Sequence, residues 1–314
     1  MRKMTATCAA LVSAAAFTAH ADDQVFVGSP QGTVYVADSD TGEFTYFACF
    51  CFGPIVSIQP LGSDLLIGDS FGTVWTIDGQ TSNTVDAVWV ASGMLDMAIN
   101  GDELLVVSQE GELIRAALDT GATIETFETP ASATSVVVFD GTIYVGGTDG
   151  SIHSKNESES EWTAFGQMNS AVKTLGVRSD ALIAADNTGQ AKIIDWEGIG
   201  DDSYYVTTDT IDAGSTGNLN LFTQAPGAVH AFDADSLELV DTWTLPVPAS
   251  AIFVRPGNIC KADTNRNGTL EAGDLSAWIA AYNRGDFIAD QNNDLNVTPT
   301  DFTAWVNNYN NGCE

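Results

Sequence analysis

The chain has 314 residues, with 11 Lys and Arg against 42 Asp and Glu and a formal charge of −31 at pH 7. A surface this acidic repels phosphate backbones and anionic lipids, which argues against nucleic acid and membrane surfaces as partners, and it attracts cations. The same charge also suits a soluble protein adapted to salty surroundings.

Residues 1–21 read as an export signal. Arg2 and Lys3 supply the positive start, Thr5 to Ala19 is a small apolar run without charge, and Ala19-His20-Ala21 fits a small-x-small cleavage site. The mature chain is predicted to begin at Asp22 and to be secreted or held at the cell surface. The apolar run is too short to span a bilayer as a helix, and no other segment is long and apolar enough to do so. Removing the signal leaves 9 basic residues (11 less Arg2 and Lys3) against 42 acidic ones, a charge of −33, and no Lys or Arg falls between Asp22 and Ile114.

From Asp22 onward one pattern recurs six times. Gly32, Gly72, Gly111, Gly150, Gly189 and Gly227 are 40, 39, 39, 39 and 38 residues apart. Six residues before each stands a large apolar side chain (Phe26, Leu66, Leu105, Tyr144, Ile183, Leu221), and two after it another apolar one. Asp38, Asp78, Asp195 and Asp233 close four of the copies. The fifth copy carries what reads as an insertion, around Ala213 to Asn220. The stretch LLIGDSFGTVWTID reads as strand, tight turn with Gly where positive φ is needed, and alternating strand. TVDAVWV and LDMAI follow as two further strands. Four short strands in every 39 or so residues predict a six-bladed, all-β propeller over 22–258, in preference to a β-sandwich with accidental spacing. The chain enters on the second strand of a blade (QVFVGS) and leaves on a first strand (SAIFV). Ala251 to Val254 is therefore expected to pair beside Val25 to Gly28 and close the ring.

These repeats resemble the WD-repeat and pyrroloquinoline-quinone-like propeller families, most clearly in GTVYVADSDTGE, a strand ending in Asp followed by Thr-Gly. The resemblance covers about Asp22 to Pro256 and implies architecture. Propellers present ligands where blade loops converge, so a glycan or protein ligand is expected on that face. The turns there supply Asp69, Glu110, Asp149 and Asp186, which could hold a cation or sugar or act as a catalytic pair, although Asp is also a favoured turn residue. His153 and His230 occupy equivalent places in two copies, which makes them repeat-surface residues. No catalytic residue is assigned.

Cys49 and Cys51 would share one face of a strand. They read as structural thiols, a strained bridge or a soft-metal pair. Cys260 and Cys313 bracket the C-terminal tail and are expected to staple it.

That tail, 259–314, contains two copies of a second pattern offset by 27 residues, DTNRNGTLEAGDLSAWIAAYN and DQNNDLNVTPTDFTAWVNNYN. Asp263, Asn265, Asn267 and Asp274 match Asp290, Asn292, Asp294 and Asp301 at loop positions 1, 3, 5 and 12. The carbonyls of Thr269 and Asn296 stand at position 7. Such oxygen donors wrap a hard cation, and the flexible set favours Ca²⁺ over Mg²⁺. Leu275, Trp278, Ile279 and Tyr282, repeated as Phe302, Trp305, Val306 and Tyr309, predict an amphipathic helix after each loop. Thr298-Pro299-Thr300-Asp301 predicts a helix start, with Asp301 serving both helix and metal. The alternative is a pair of Asx-turns before ordinary helices. Arg284-Gly285-Asp286 spells an adhesion tripeptide, but Gly285 is better read as ending the first helix.

The tail resembles a dockerin, with duplicated EF-hand-like loops that end in Asp. That resemblance implies a calcium-dependent, cohesin-type partner on a cell-surface scaffold. It also implies one of two settings for the propeller, a non-catalytic binding module or a polysaccharide-active hydrolase or lyase. Two departures stand out. Leu295 replaces the usual loop Gly, and positions 10 and 11 hold Ala272-Gly273 and Pro299-Thr300.

Overall fold

Turns at the six anchor glycines set the strand boundaries. In the computed structural model all six have positive φ, from 77° at Gly32 to 102° at Gly227, a conformation that glycine adopts without steric penalty. The structure describes residues 23–39, 41–49, 53–61, 64–79, 82–156, 159, 161–178, 180–196, 202–206, 210–215, 219–225, 227–255, 262, 264, 270–284, 289, 291 and 297–311. The export signal, Cys51, Cys260, Cys313 and most of the loop ligands (Asp263, Asn265, Asn267, Thr269, Asp290, Asn292, Asp294, Asn296) lie outside these residues.

The first blade begins with β1 (Gln24–Gly28), β2 (Thr33–Asp38) and β3 (Thr45–Cys49). The second holds β4 (Ile55–Leu61), β5 (Asp64–Asp69), β6 (Thr73–Ile77) and β7 (Thr84–Trp89). The third holds β8 (Met94–Asn100), β9 (Glu103–Ser108), β10 (Leu113–Ala117) and β11 (Thr123–Phe127). The fourth holds β12 (Ala133–Phe139), β13 (Thr142–Gly147), β14 (Ser151–Asn156) and β15 (Thr163–Gln167). The fifth holds β16 (Val172–Val177), β17 (Ala181–Asp186), β18 (Gln190–Asp195) and β19 (Asp202–Tyr205). The sixth holds β20 (Thr210–Ser215), β21 (Leu219–Gln224), β22 (Ala228–Asp233) and β23 (Leu239–Thr244).

The last strand, β24 (Ala251–Arg255), returns to the first blade and completes its sheet in the order β24-β1-β2-β3. Its register is antiparallel, with Gly28 opposite Ala251 and Val25 opposite Val254, as the sequence predicts. The described residues of the stretch Ala213 to Asn220 belong to regular blade strands and not to an insertion. Ala213 to Ser215 end the inner strand β20, and Leu219 and Asn220 open β21.

Composition along each blade follows distance from the axis. Second strands such as β9 (ELLVVS) and β17 (ALIAAD) are buried almost throughout. They are covered on both faces, which is why their sequences are continuous apolar runs. Third strands alternate, as in β22 (AVHAFD), and the rim strands β7, β11 and β23 are mostly exposed.

Six apolar clusters result, each shared by two neighbouring blades. Phe26, Val36, Phe47, Ile58 and Ile67 fill the seam between blades 1 and 2. Val27, Leu221, Trp243, Ile252 and Val254 fill the seam between blades 6 and 1. Full burial of one such side chain contributes about 1.5–3 kcal/mol, so the seams dominate the stability of the ring.

After the propeller strands the described residues include two helices, α1 (Ala272–Arg284) and α2 (Pro299–Asn311). Helix α1 runs to Arg284, and Gly285, read in the sequence as its stop signal, lies outside the described residues. Their core is Trp278, Ala281, Trp305, Ala262 and Ala289. The predicted apolar faces are only partly used, because Ile279 and Phe302 are each 46% exposed and Val306 is exposed as well. Cys49 is disulfide-bonded, which removes the free-thiol and soft-metal readings for that residue.

Candidate functional site

The turn acids divide into two kinds. Asp69 is buried, and its Oδ1 accepts from the N–H groups of Phe71 (2.9 Å) and Thr73 (3.1 Å), while Oδ2 accepts from Trp75 Nε1 (3.2 Å). Asp186, also buried, accepts from Thr188 N (2.8 Å) and Oγ1 (2.6 Å) and from Gln190 N (3.2 Å). Ser29 and Ser108 do the same with their hydroxyl oxygens in blades 1 and 3. These are Asx- and ST-turns, so both acids serve the turn. Glu110 and Asp149 precede their glycines directly and are exposed. Hydrogen bonds from Ser151 hold Asp149 below the usual carboxylate range. The four acids are therefore not assembled as a catalytic pair. Beside Asp69, Phe71 and, at the end of β7, Trp89 are both exposed (59% and 60%), and Trp89 Nε1 donates to the Phe71 carbonyl (3.2 Å).

His153 and His230 lie on the third strands β14 and β22, equivalent places as expected. The ring nitrogens of His230 bond Thr242 Oγ1 (3.1 Å) and Gln224 Oε1 (2.9 Å), and burial lowers its pKa. Between blades 3 and 4, a pocket of about 320 Å³ is lined by Arg115, Glu125, Phe127 and Lys155. Arg115 is already paired with Glu103 (3.5 Å) and Glu125 (3.3 Å), so the pocket is no strong anion site.

A second polar set lies on the axis and was not singled out in the sequence. Ser57, Asp96, Ser135, Thr174 and Asp212 occupy the same register on the inner strands β4, β8, β12, β16 and β20, opposite Gly68, Val107, Gly146, Ala185 and Thr223. Together with Ser250 they bridge all six seams around the ring. Ser57 Oγ donates to the Met97 carbonyl (3.1 Å). Asp96 Oδ2 accepts from Ser135 Oγ (2.6 Å) and Val136 N (3.0 Å). Ser135 Oγ accepts from Leu175 N (3.0 Å). Asp212 accepts from Thr174 Oγ1 (2.7 Å) and from Ile252 N (2.8 Å). Ser250 Oγ closes the circuit on the Ile55 carbonyl (2.5 Å).

Burial pushes Asp96 up to about 6, against the pull of hydrogen bonds from Ser135, Val136 and Met97. Burial, then the charge of Asp96, pushes Asp212 up to about 7, against hydrogen bonds from Ile252, Thr174 and Ala213. Desolvation of these buried carboxylates thus outweighs the hydrogen bonds that favour their charge. The signal for these residues was present in the sequence. Each stands fifteen residues before its anchor glycine (72 − 57, 111 − 96, 150 − 135, 189 − 174 and 227 − 212). Their alternation between hydroxyl and acid hides the pattern from a reading that looks for one residue type.

In the tail, two of the ten predicted ligand residues are described. Asp274 and Asp301 are fully buried third residues of their helices. Asp274 Oδ2 accepts from Glu271 N (2.8 Å), and Asp301 Oδ2 accepts from Thr298 N (2.7 Å), so each caps its helix. Asp301 Oδ1 also accepts from Gln291 N (3.0 Å), tying the end of its loop to the beginning. The helices cross-bond symmetrically, since Trp278 Nε1 donates to the Ala289 carbonyl (3.1 Å) and Trp305 Nε1 to the Ala262 carbonyl (3.2 Å). Among the described residues no group of three or more His, Cys, Asp and Glu is placed to hold a metal.

Six four-stranded blades closed by one shared sheet define a six-bladed β-propeller. The sequence matches no family model and no curated protein. Among solved structures, the chain is similar in fold to one from the "Crystal structure of Nidogen/Laminin Complex". The TM-score is 0.64, covering 74% of this chain and 98% of that one, at 12% identity. The likeness is one of fold.

Proposed function

We propose that the protein is an exported, non-catalytic propeller that binds a glycan or protein ligand and is tethered through a calcium-binding, dockerin-like tail. The observation that carries the binding half is the exposed Phe71–Trp89 pair beside a turn whose acid, Asp69, is consumed by its own hydrogen bonds. Exposed aromatic faces on a rigid turn are suited to stacking against sugars or anchoring a partner. The similar solved chain comes from a complex named for two proteins, which fits a binding role for such a ring.

The tether rests on the duplicated oxygen-donor loops. Asp263, Asn265, Asn267, the Thr269 carbonyl and Asp274 would hold the first ion. Asp290, Asn292, Asp294, the Asn296 carbonyl and Asp301 would hold the second. Asp274 and Asp301 are held by hydrogen bonds at their helix starts, which supports the reading of each as the last ligand of its loop. Bound Ca²⁺ would cancel the repulsion among these acids, and the Cys260–Cys313 bridge would add a covalent staple. The exposed Ile279, Phe302 and Val306 would offer a surface for a cohesin-type scaffold.

Calorimetric titration of the mature chain with Ca²⁺ is expected to show two binding events, with one lost in Asp263→Ala and the other in Asp290→Ala. A hundredfold excess over Kd should stabilise the tail by about 2.7 kcal/mol. Flat heats for the unmutated chain would end the metal reading.

A polysaccharide hydrolase or lyase is favoured by one observation, the pair of axial carboxyls with raised pKa. Both are engaged across the strand seams, which favours the binding reading. Glycan-array binding that falls with Trp89→Ala, without turnover of any polysaccharide tested, is the expected outcome. Turnover lost in Asp96→Asn would reverse the order of the two readings.

A further inference from the structure

We propose that the outer part of the seam between blades 3 and 4 binds an uncharged sugar, at a site separate from Phe71 and Trp89 of blade 2. Comparison among the six copies singles this seam out. Five residues after the anchor glycine, five copies carry Ala37, Ile77, Ala116, Ile194 and Phe232, all buried. That position faces the preceding blade, as the clusters holding Ile77, Ala116, Ile194 and Phe232 show. Blade 4 carries Lys155 there, opposite Ile143. Four residues after the glycine, on the face turned to the following blade, the others carry Val36, Thr76, Ser154, Ile193 and Ala231. Blade 3 carries Arg115 there. Two cations thus enter one seam from opposite sides, each at a place that is uncharged in every other copy.

Elsewhere aromatic rings fill the outer seam. Phe139 and Trp196 stack with centroids 4.0 Å apart between blades 4 and 5, and Phe44 meets Trp243 between blades 6 and 1. Between blades 3 and 4 stands instead the cavity of about 320 Å³, whose wall includes Arg115, Glu125, Phe127, Ile143, Lys155 and Asn156. That volume lies at the small end of ligand pockets. Its cations are held in place. Arg115 meets Glu103 (3.5 Å) and Glu125 (3.3 Å), with its guanidinium 5.8 Å from the Phe127 centroid. Lys155 Nζ lies 5.9 Å from the centroids of both Phe127 and Trp162. Trp162 Nε1 in turn donates to the Glu128 carbonyl (2.9 Å), tying blade 4 to blade 3. The wall is therefore organised before any ligand arrives, which lowers the entropy lost on binding.

Charge decides the class of ligand. A free anion would approach a molecule of formal charge −31 and find a guanidinium already shared by two carboxylates. A cation would meet Lys155 and Arg115 at the wall. An uncharged ligand faces neither obstacle, and one rich in hydroxyls can donate to Glu125 while accepting from the basic side chains. The end of a saccharide combines such hydroxyls with C–H faces that suit the apolar part of the wall, Phe127 and Ile143. The Glu125 side chain is 49% exposed, so the pocket is open to solvent.

The mature chain, labelled with ¹⁵N, should be titrated with cellobiose, xylobiose and mannobiose, and with digalacturonate and glucosamine as charged counterparts. At least one neutral disaccharide is expected to shift the amide signals of Phe127, Lys155 and Asn156 saturably, with a Kd of about 1 mM or tighter. The charged probes should bind about tenfold more weakly or worse. Lys155→Ile installs the side chain that blades 2 and 5 carry at this place, Ile77 and Ile194. Its melting temperature should equal or exceed that of the unmutated chain, whereas its affinity for the same disaccharide should fall about tenfold or more. Trp89→Ala should leave that affinity unchanged, so loss of the blade 2 surface and loss of this site are read separately. If Lys155→Ile does not fold, Glu125→Gln takes its place with the same loss expected. The site is overturned if no neutral disaccharide moves those three signals, if digalacturonate or glucosamine binds as tightly, or if the folded variant binds as before.

Discussion

A chain ended at Ser250 is expected not to yield a folded propeller, whereas one ended at Arg255 is expected to melt cooperatively. The five residues between them form β24, and the whole ladder from Gln24–Arg255 to Gly28–Ala251 goes with them. Their removal strips Ile252 and Val254 from the cluster between blades 6 and 1, and Ala251 from the cluster between blades 1 and 2. The Asp212 carboxylate also loses the Ile252 amide. Loss of the two large side chains alone costs about 3–6 kcal/mol, comparable with the roughly 5–15 kcal/mol that holds a whole domain together. Circular dichroism, size-exclusion chromatography and thermal melts would read the result. A monomeric Ser250 chain with a cooperative melt would show that closure is dispensable.

The second large effect is expected at an anchor turn. Gly72 has φ of +90°, and a Cβ there would lie 1.6 Å from the Ala91 carbonyl oxygen. That oxygen belongs to the backbone leading into β8, so relief requires moving the entry of the next blade. Gly72→Ala is expected to cost about 3 kcal/mol or more, lowering the melting temperature by about 6–12 °C. Gly141 is the control. Its φ is +72°, but nothing lies within 4 Å of a built Cβ. Gly141→Ala should therefore cost only the left-handed strain of about 1–2 kcal/mol. Equal losses at the two sites would mean that conformation alone, and not contact with the next blade, explains the recurrence of glycine.

Much of this fold is legible from the chain alone because the ring repeats its physics. The glycine period gives the blade number, and the entry and exit strands QVFVGS and SAIFV give the closing register, since a blade missing its inner strand can only be completed from the other end. The boundary of the sixth blade is harder to read. The small residues of Ala213 to Asn220 look like an insertion, yet Ala213 and Gly214 pack within the ring, Gly214 against Val254 and Ile252.

The axial polar set is harder still. Asp96 and Asp212 are three blades apart along the chain, with Ser135 and Thr174 at the equivalent places between them, and no local pattern distinguishes them from the turn acids. What separates the two kinds is tertiary. Asp69 bonds its own hairpin, while Asp96 bonds the blade that follows it. In the tail, helical period predicts α1 and α2 but not their shared exposure. Trp278 and Trp305 each reach across to the opposite repeat, which turns the buried stripe toward the aromatic rings and leaves Ile279 and Phe302 outside.

The rim strands carry a different consequence. Strands β7, β11 and β23 each bond a neighbour on one side within their sheet, and they expose Val85, Ile124, Leu239 and Val240. The features that discourage two wheels from zipping rim to rim are the carboxylates set among those residues, Asp86, Glu125 and Asp241, backed by the surplus of negative charge over the whole molecule. Colloidal behaviour is thus governed by electrostatics at the circumference, and concentrated brine is expected to screen away the safeguard against clumping.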